Sequence, residues 1–173
     1  AGIKYMVCAY LSAVERGGLD HYKYIADQLN KAAERCKKAG IQMCYHNHDF
    51  EFEKQDGQFP YDVLLDNTDK DLVKMEMDIY WVVAAGHDPI EWLKKYPNRF
   101  KLSHVKDRSK TPGADNGKNS VDLGTGSIDF SKVLKVAGKM GMEHFIVEQE
   151  FYPNGTPLEA VKACAAYMKS LRM

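Results

Sequence analysis

Four apolar, strand-like runs in this chain each end in a side chain that can bind a cation. They are Cys44 to His48 with its two imidazoles, Val73 to Asp78, Phe100 to His104, and Phe145 to Glu148. A single such ending is an accident of composition. Four at successive strand ends, with helical segments between them, is how a parallel α/β barrel assembles a site on one face. Imidazole and carboxylate donors in mixture suit a divalent cation such as Mn, Co, Zn or Fe(II).

Each candidate also has a plain structural explanation. A lone strand histidine is usually a satisfied core or surface residue, although His46 and His48 share one side of their strand because side chains alternate. Asp78 and Glu148 close apolar runs where an uncompensated carboxylate would be costly, and a helix N-terminus or a lysine could compensate either. His104-Val105-Lys106-Asp107 could be an ion-paired structural string. The joint placement, not any one residue, carries the chemical reading.

The elements that must position these groups alternate along the chain. Gly2 to Tyr10 reads as a mostly buried strand, followed by a long helix capped by Asp20 with Ile25, Leu29, Ala32/Ala33 and Cys36 at helical spacing, stopping at Gly40. Ile41 to His48 is the second strand, and Pro60 opens a short helix using Val63, Leu64 and Leu65. Leu72 to Val83 gives the third strand and its exit. Asp88-Pro89 caps and starts a helix that Pro97 closes, and Phe100 to Val105 is the fourth strand. A polar loop runs from Arg108 to Ser120, and Lys110 within it is a substrate-binding candidate. Asp129 begins the next helix, Phe145 to Glu148 is the fifth strand, and Thr156-Pro157-Leu158-Glu159 is a capping box. Leu158, Val161, Ala165, Met168 and Leu171 are the expected buried stripe of the last helix. The order is β-α repeated five times, with no repeat or linker, so residues 1–173 read as a single domain.

Composition excludes several classes. Lys plus Arg equals Asp plus Glu at 24 each, so no global field favours nucleic acid or an acidic membrane. No apolar run approaches the ~20 residues needed to span a bilayer. Cys8, Cys36, Cys44 and Cys164 lack C-x-x-C spacing and read as buried free thiols, compatible with a cytoplasmic protein. The chain opens at Ala1, which leaves an upstream signal segment open.

Several strings together resemble the sugar phosphate isomerase/epimerase family, whose xylose-isomerase-like barrel includes ketose 3-epimerases and inosose dehydratases. They are Tyr45-His46-Asn47-His48-Asp49-Phe50-Glu51-Phe52, Met77-Asp78-Ile79-Tyr80-Trp81, His104-Val105-Lys106-Asp107, Ile146-Val147-Glu148-Gln149 and the glycine turn Gly124 to Phe130. The resemblance implies an α/β parallel (β/α) barrel, incomplete here, with about five of eight β/α units corresponding to strands four to eight. It implies one divalent ion held by Asp78, His104 and Glu148, with His46 where the family has its first glutamate. That glutamate is one of two bases in the epimerases, so its replacement brings the chain closer to the dehydratases. Trp81 also occupies the position of a substrate-contacting histidine of the epimerases.

The expected function is a metal-dependent isomerase or epimerase of a sugar, sugar phosphate or cyclitol. Proton abstraction next to a carbonyl by Glu148 would give a metal-stabilised enediolate, with His46 or His48 as opposite acid/base and Lys106 assisting at oxygen. His48, Trp81, Phe50 and Lys110 are the expected substrate contacts, with Tyr80 adding an apolar wall. Dehydration of the inosose-dehydratase type is the alternative. A non-catalytic metal- or sugar-binding fragment that completes a barrel with a partner is another. A DNA-repair endonuclease of the same fold fits poorly with a neutral chain. Five parallel strands leave two open edges, so a homo-oligomer or a complementary barrel fragment is expected.

Overall fold

The structure, a computed structural model, describes residues 2–113 and 118–171. Five parallel strands lie side by side in chain order: β1 (Tyr5–Cys8), β2 (Gln42–His46), β3 (Val73–Asp78), β4 (Phe100–Val105) and β7 (His144–Val147). Between them run α1 (Leu19–Lys38), α2 (Pro60–Asn67), α3 (Ile79–Ala84), α4 (Pro89–Lys95) and α5 (Phe130–Lys139), and α6 (Pro157–Ser170) follows. A two-stranded antiparallel ribbon, β5 (Asp107–Arg108) with β6 (Ser120–Val121), stems the loop expected over Arg108–Ser120. Residues 114–117 of that loop lie outside the described residues.

The sheet is a curled half-barrel with helices on its outer side. Its curl brings the two outer strands together at one end, where Tyr5 Oη donates to Glu143 Oε2 at 2.6 Å and the Tyr5 ring meets His144 edge-on at 5.5 Å. Alternation sends Met43, Tyr45, Val73, Met75 and Met77 toward the helices, where they are buried. Glu76 and Asp78 turn to the concave side. A register shift in the β3–β4 pairing, where Met75 faces Phe100 but Glu76 faces Leu102, lets Phe100 join the helix-side core while Leu102 and His104 face inward.

Local expectations in three elements are corrected. β1 is shorter than Gly2 to Tyr10 and only half-buried, with Met6 44% exposed, because an outer strand has one neighbour instead of two. Gly18, at φ 100°, occupies the N-cap of α1, and Asp20 sits in its first turn paired with Lys23 at 2.9 Å. The buried face of α1 is Tyr22, Ala26, Leu29, Ala33 and Cys36, a register that leaves Ile25 half-buried. In α6 the buried residues are Ala160 and Cys164, whereas Leu158 and Val161 are each 63% exposed. The thiol selects that face, for Cys164 Sγ meets the Leu123 N–H at 3.4 Å and Gln149 Oε1 at 3.3 Å. The Asp88 and Thr156 caps form as expected, as does the exit from β3, which is helical. All four cysteines are free, three of them buried and Cys8 partly so. Among the described residues no helix is long and apolar enough to cross a membrane.

Candidate active site

The strand ends place their polar groups at one mouth of the half-barrel. His46 is the last residue of β2, Asp78 the last of β3, His104 lies one residue before the end of β4, and Glu148 directly follows β7. Ligand atoms of His46, Asp78 and His104 all lie within 4.8 Å of one another. His46 Nε2 is 3.8 Å from Asp78 Oδ2, and His104 Nδ1 is 3.9 Å from the same oxygen. Glu148 joins through His104, its Oε2 lying 3.2 Å from Nδ1.

Asp78 is fixed on every side but one. Its Oδ1 accepts from the Trp81 N–H at 3.1 Å, capping α3. Its main-chain N–H donates to Asn47 Oδ1 at 3.1 Å, while Asn47 Nδ2 donates back to its carbonyl at 3.3 Å. Tyr61 Oη supports the same Asn47 oxygen at 3.2 Å. Of the two carboxylate oxygens of Asp78, Oδ2 is buried without a hydrogen-bond partner, and it faces the two histidines. A buried, unsatisfied carboxylate oxygen amid imidazole nitrogens is the chemistry of a cation site, so these residues fit a divalent ion.

Electrostatics follow from burial and neighbours. Burial pushes the Asp78 carboxyl up to about 6, although His46 and Lys106 oppose the rise. The hydrogen bond from His104 holds Glu148 down near 2, against its own burial. Burial disfavours the charged form of His104, but the hydrogen bond to Glu148 and the charges of Glu148, Glu76 and Asp78 more than offset it and raise its pKa. His48 is pushed down to about 4 by burial and by the neighbouring His46 and Lys106, so it is a neutral imidazole.

Lys106 is fully buried. It forms an ion pair with Glu150, lies 3.5 Å from Glu148, and sits over the rings of Tyr80 and Trp81 at 4.7 and 5.2 Å. The next residue, Asp107, accepts four main-chain N–H groups. Gly124 and Gly126 donate to one oxygen at 2.9 and 3.0 Å, Arg108 and Ile128 to the other at 2.8 and 3.2 Å. Gly126 must be glycine, because a Cβ there would run into the Asp107 carboxylate.

A cavity of about 290 Å³ opens over these groups, with His46, His48, Glu76, Trp81, His104 and Glu148 in its walls. Phe50 stands behind it, its ring stacked on His48 at 5.4 Å, and Tyr80 is fully buried beneath Lys106. Lys110 is exposed and does not line the cavity. A larger hollow of about 410 Å³, beside Lys4, Tyr5 and Gln42, lies at the opposite strand ends, away from the histidines.

Sequence reasoning passed over Glu76, Asn47, Glu51 and Glu150. Glu76 lies two residues before Asp78, so strand alternation alone was enough to place it on the same face. Glu51 is fully buried, accepting from the Tyr45 hydroxyl and, at 2.8 Å, from the His48 N–H, and its alternation with Phe50 and Phe52 gave no sign of this.

The xylose isomerase-like TIM barrel profile matches residues 1–171. An inosose dehydratase of Clostridium perfringens is 32% identical over 164 residues, covering 87% of this chain and 54% of that protein. A sugar phosphate isomerase/epimerase from Parabacteroides distasonis superposes with a TM-score of 0.81 at 35% identity, over 98% of this chain and 58% of that one. The IOLI protein, in a structure with a binding zinc atom, shares the fold at TM-score 0.77 and 20% identity, over 98% and 63% of the two chains. The chain thus spans about half the length of the curated relatives it matches.

Proposed function

The chain belongs to the xylose isomerase-like TIM barrel family, and on that premise we propose that it carries the working face of a metal-dependent enzyme that enolises a keto-sugar or cyclitol. The observation that carries this reading is the unpartnered Asp78 Oδ2 facing His46 and His104, with Glu148 Oε2 3.2 Å from His104 Nδ1. His46, Asp78, His104 and Glu148 would hold a divalent ion such as Mn, Co, Zn or Fe(II), which would supply a Lewis acid for a substrate carbonyl. Glu148, kept ionised by His104, takes the proton on the carbon next to that carbonyl. Lys106, oriented by Glu150 and the two aromatic rings, donates to the oxygen on which charge develops. His48, neutral and in the cavity wall, relays a proton, and Trp81 offers an apolar face to the ring.

Returning the proton to a neighbouring carbon gives isomerisation, and returning it to the opposite face of the same carbon gives epimerisation. Dehydration is the second reading. The relatives named inosose dehydratase favour it, as does an imidazole at His46 where a second carboxylate base would stand. In either case the five strands are read as strands four to eight of a (β/α)8 barrel. The remaining face comes from a longer polypeptide, a complementary chain or a second copy.

Incubation with keto-sugars and inososes in deuterated water, followed by NMR, tests the proposal. Deuterium entering beside the carbonyl is expected, and Glu148→Gln should slow it by at least ~100-fold with the fold intact. Near-normal exchange in the variant would sink the assignment of Glu148. Exchange without loss of water identifies an isomerase or epimerase, an unsaturated product a dehydratase. Metal uptake without exchange on any substrate would favour a binding fragment.

A further inference from the structure

We infer that Glu76 is a positioning residue that fixes the tautomer of His46, so that Nε2 presents its lone pair to the Asp78 side of the site. The inference rests on the metal-centre reading above and deepens it. Glu76 and His46 are both 5% exposed, and Glu76 Oε2 lies 3.1 Å from His46 Nδ1. A neutral imidazole has one N–H and one lone pair, and a carboxylate has only lone pairs. The nitrogen facing Glu76 at hydrogen-bond distance is therefore the N–H. That leaves an unprotonated Nε2 turned toward Asp78 Oδ2, 3.8 Å away and itself without a partner. Two lone pairs converging in a buried space have no use for each other. They have a use for a cation.

The same Glu76 oxygen is 3.7 Å from His104 Nε2, too far for a hydrogen bond, so Glu76 commits to His46. His104 faces Glu148 instead, its Nδ1 3.2 Å from Oε2. The two imidazoles thus face different carboxylates, one within β3 and one just after β7. A carboxylate behind a ligating histidine raises the basicity of the ligand and holds its ring in place.

Histidine-labelled, metal-free protein at a pH above the imidazole range, observed by ¹H–¹⁵N NMR with His46 assigned from His46→Ala, reads the tautomer directly. The expected result is a protonated Nδ1 and a bare Nε2 at His46. Glu76→Ala should shift His46 toward the other tautomer, leave His104 unchanged, and weaken Co(II) binding by about 10- to 100-fold with one ion still bound. Glu76→Gln, whose amide oxygen still accepts from Nδ1–H, should keep the tautomer and most of the affinity. A protonated Nε2 in the parent protein overturns the inference, and so does unchanged Co(II) affinity in Glu76→Ala. Complete loss of the ion in Glu76→Ala, as severe as in Asp78→Ala, would make Glu76 a ligand and also overturn it. Should the parent protein take up no Co(II), the metal-centre reading fails, while the tautomer of the metal-free protein still decides the role of Glu76.

Discussion

A carboxylate oxygen buried with no partner is a residue working against the stability of its own fold, and Asp78 is in that position. The cost is offset in part because the rest of the side chain is useful: Oδ1 caps α3, while Oδ2 faces the two imidazoles where the proposed cation would sit. Asp78→Asn can keep the cap and drop the charge. The metal-free variant is expected to be as stable as the parent or more so by about 1 kcal/mol, and to lack the rise in melting temperature that Zn or Mn is expected to give the parent. Calorimetry with and without metal checks this, and an equal metal-induced rise in the variant would refute it. Glu51 offers a second residue-scale test. Burial pushes its carboxyl up to about 7 from an ordinary 4.5, although the Tyr45 hydroxyl and the His48 N–H both favour the ionised form. Between those values the folded chain holds a proton that the unfolded chain releases. The stabilising contribution is therefore complete below pH 4.5 and is lost as pH rises through about 7. The loss is on the order of 3 kcal/mol, and Glu51→Gln should flatten it in urea titrations at several pH values. A parent-like slope in the variant would count against Glu51 as its source.

At the scale of elements, much was legible because it is written locally. Alternation and length mark the strands, Asp88-Pro89 and Thr156-Pro157 mark helix starts, and the four strand-end ligand candidates follow from these. Choices made by neighbours were not legible. In α6 the apolar residues could serve either of two faces, and the contact of Cys164 with Leu123 and Gln149 chooses the one that leaves Leu158 and Val161 in solvent. Asn47 read as a polar residue between two histidines, yet its amide joins the end of β2 to the end of β3 in both directions. Asp107 is the clearest case. The His-Val-Lys-Asp string and the glycine turn are separate features in the sequence, and only the fold shows that the aspartate at the start of β5 is what the turn is wrapped around. Asp107→Ala would strand buried N–H groups and is expected to cost on the order of 3 kcal/mol, with amide exchange accelerated at Gly124, Gly126 and Ile128. Unchanged protection at those amides would show that the turn stands without it.

At the scale of the whole molecule, the half-barrel has a mouth that gathers histidines and carboxylates and two outer strands with free edges, a known hazard for association. Sedimentation should accordingly report a mass above that of one chain, or one that rises when a complementary barrel fragment is added. The tie between Tyr5 and Glu143 bears on how fast such closure runs. The three strands missing from a full barrel belong between β7 and β1, and that is the gap the tie holds shut. Completion is then a displacement, not a docking. Its rate should level off at high partner concentration, where opening of the gap becomes the slow step, and Tyr5→Phe should raise that plateau. A rate that climbs linearly with concentration, indifferent to the substitution, would mean the gap is never closed in solution. A single phenol would in that way act as a timer, making the assembled state slow to reach.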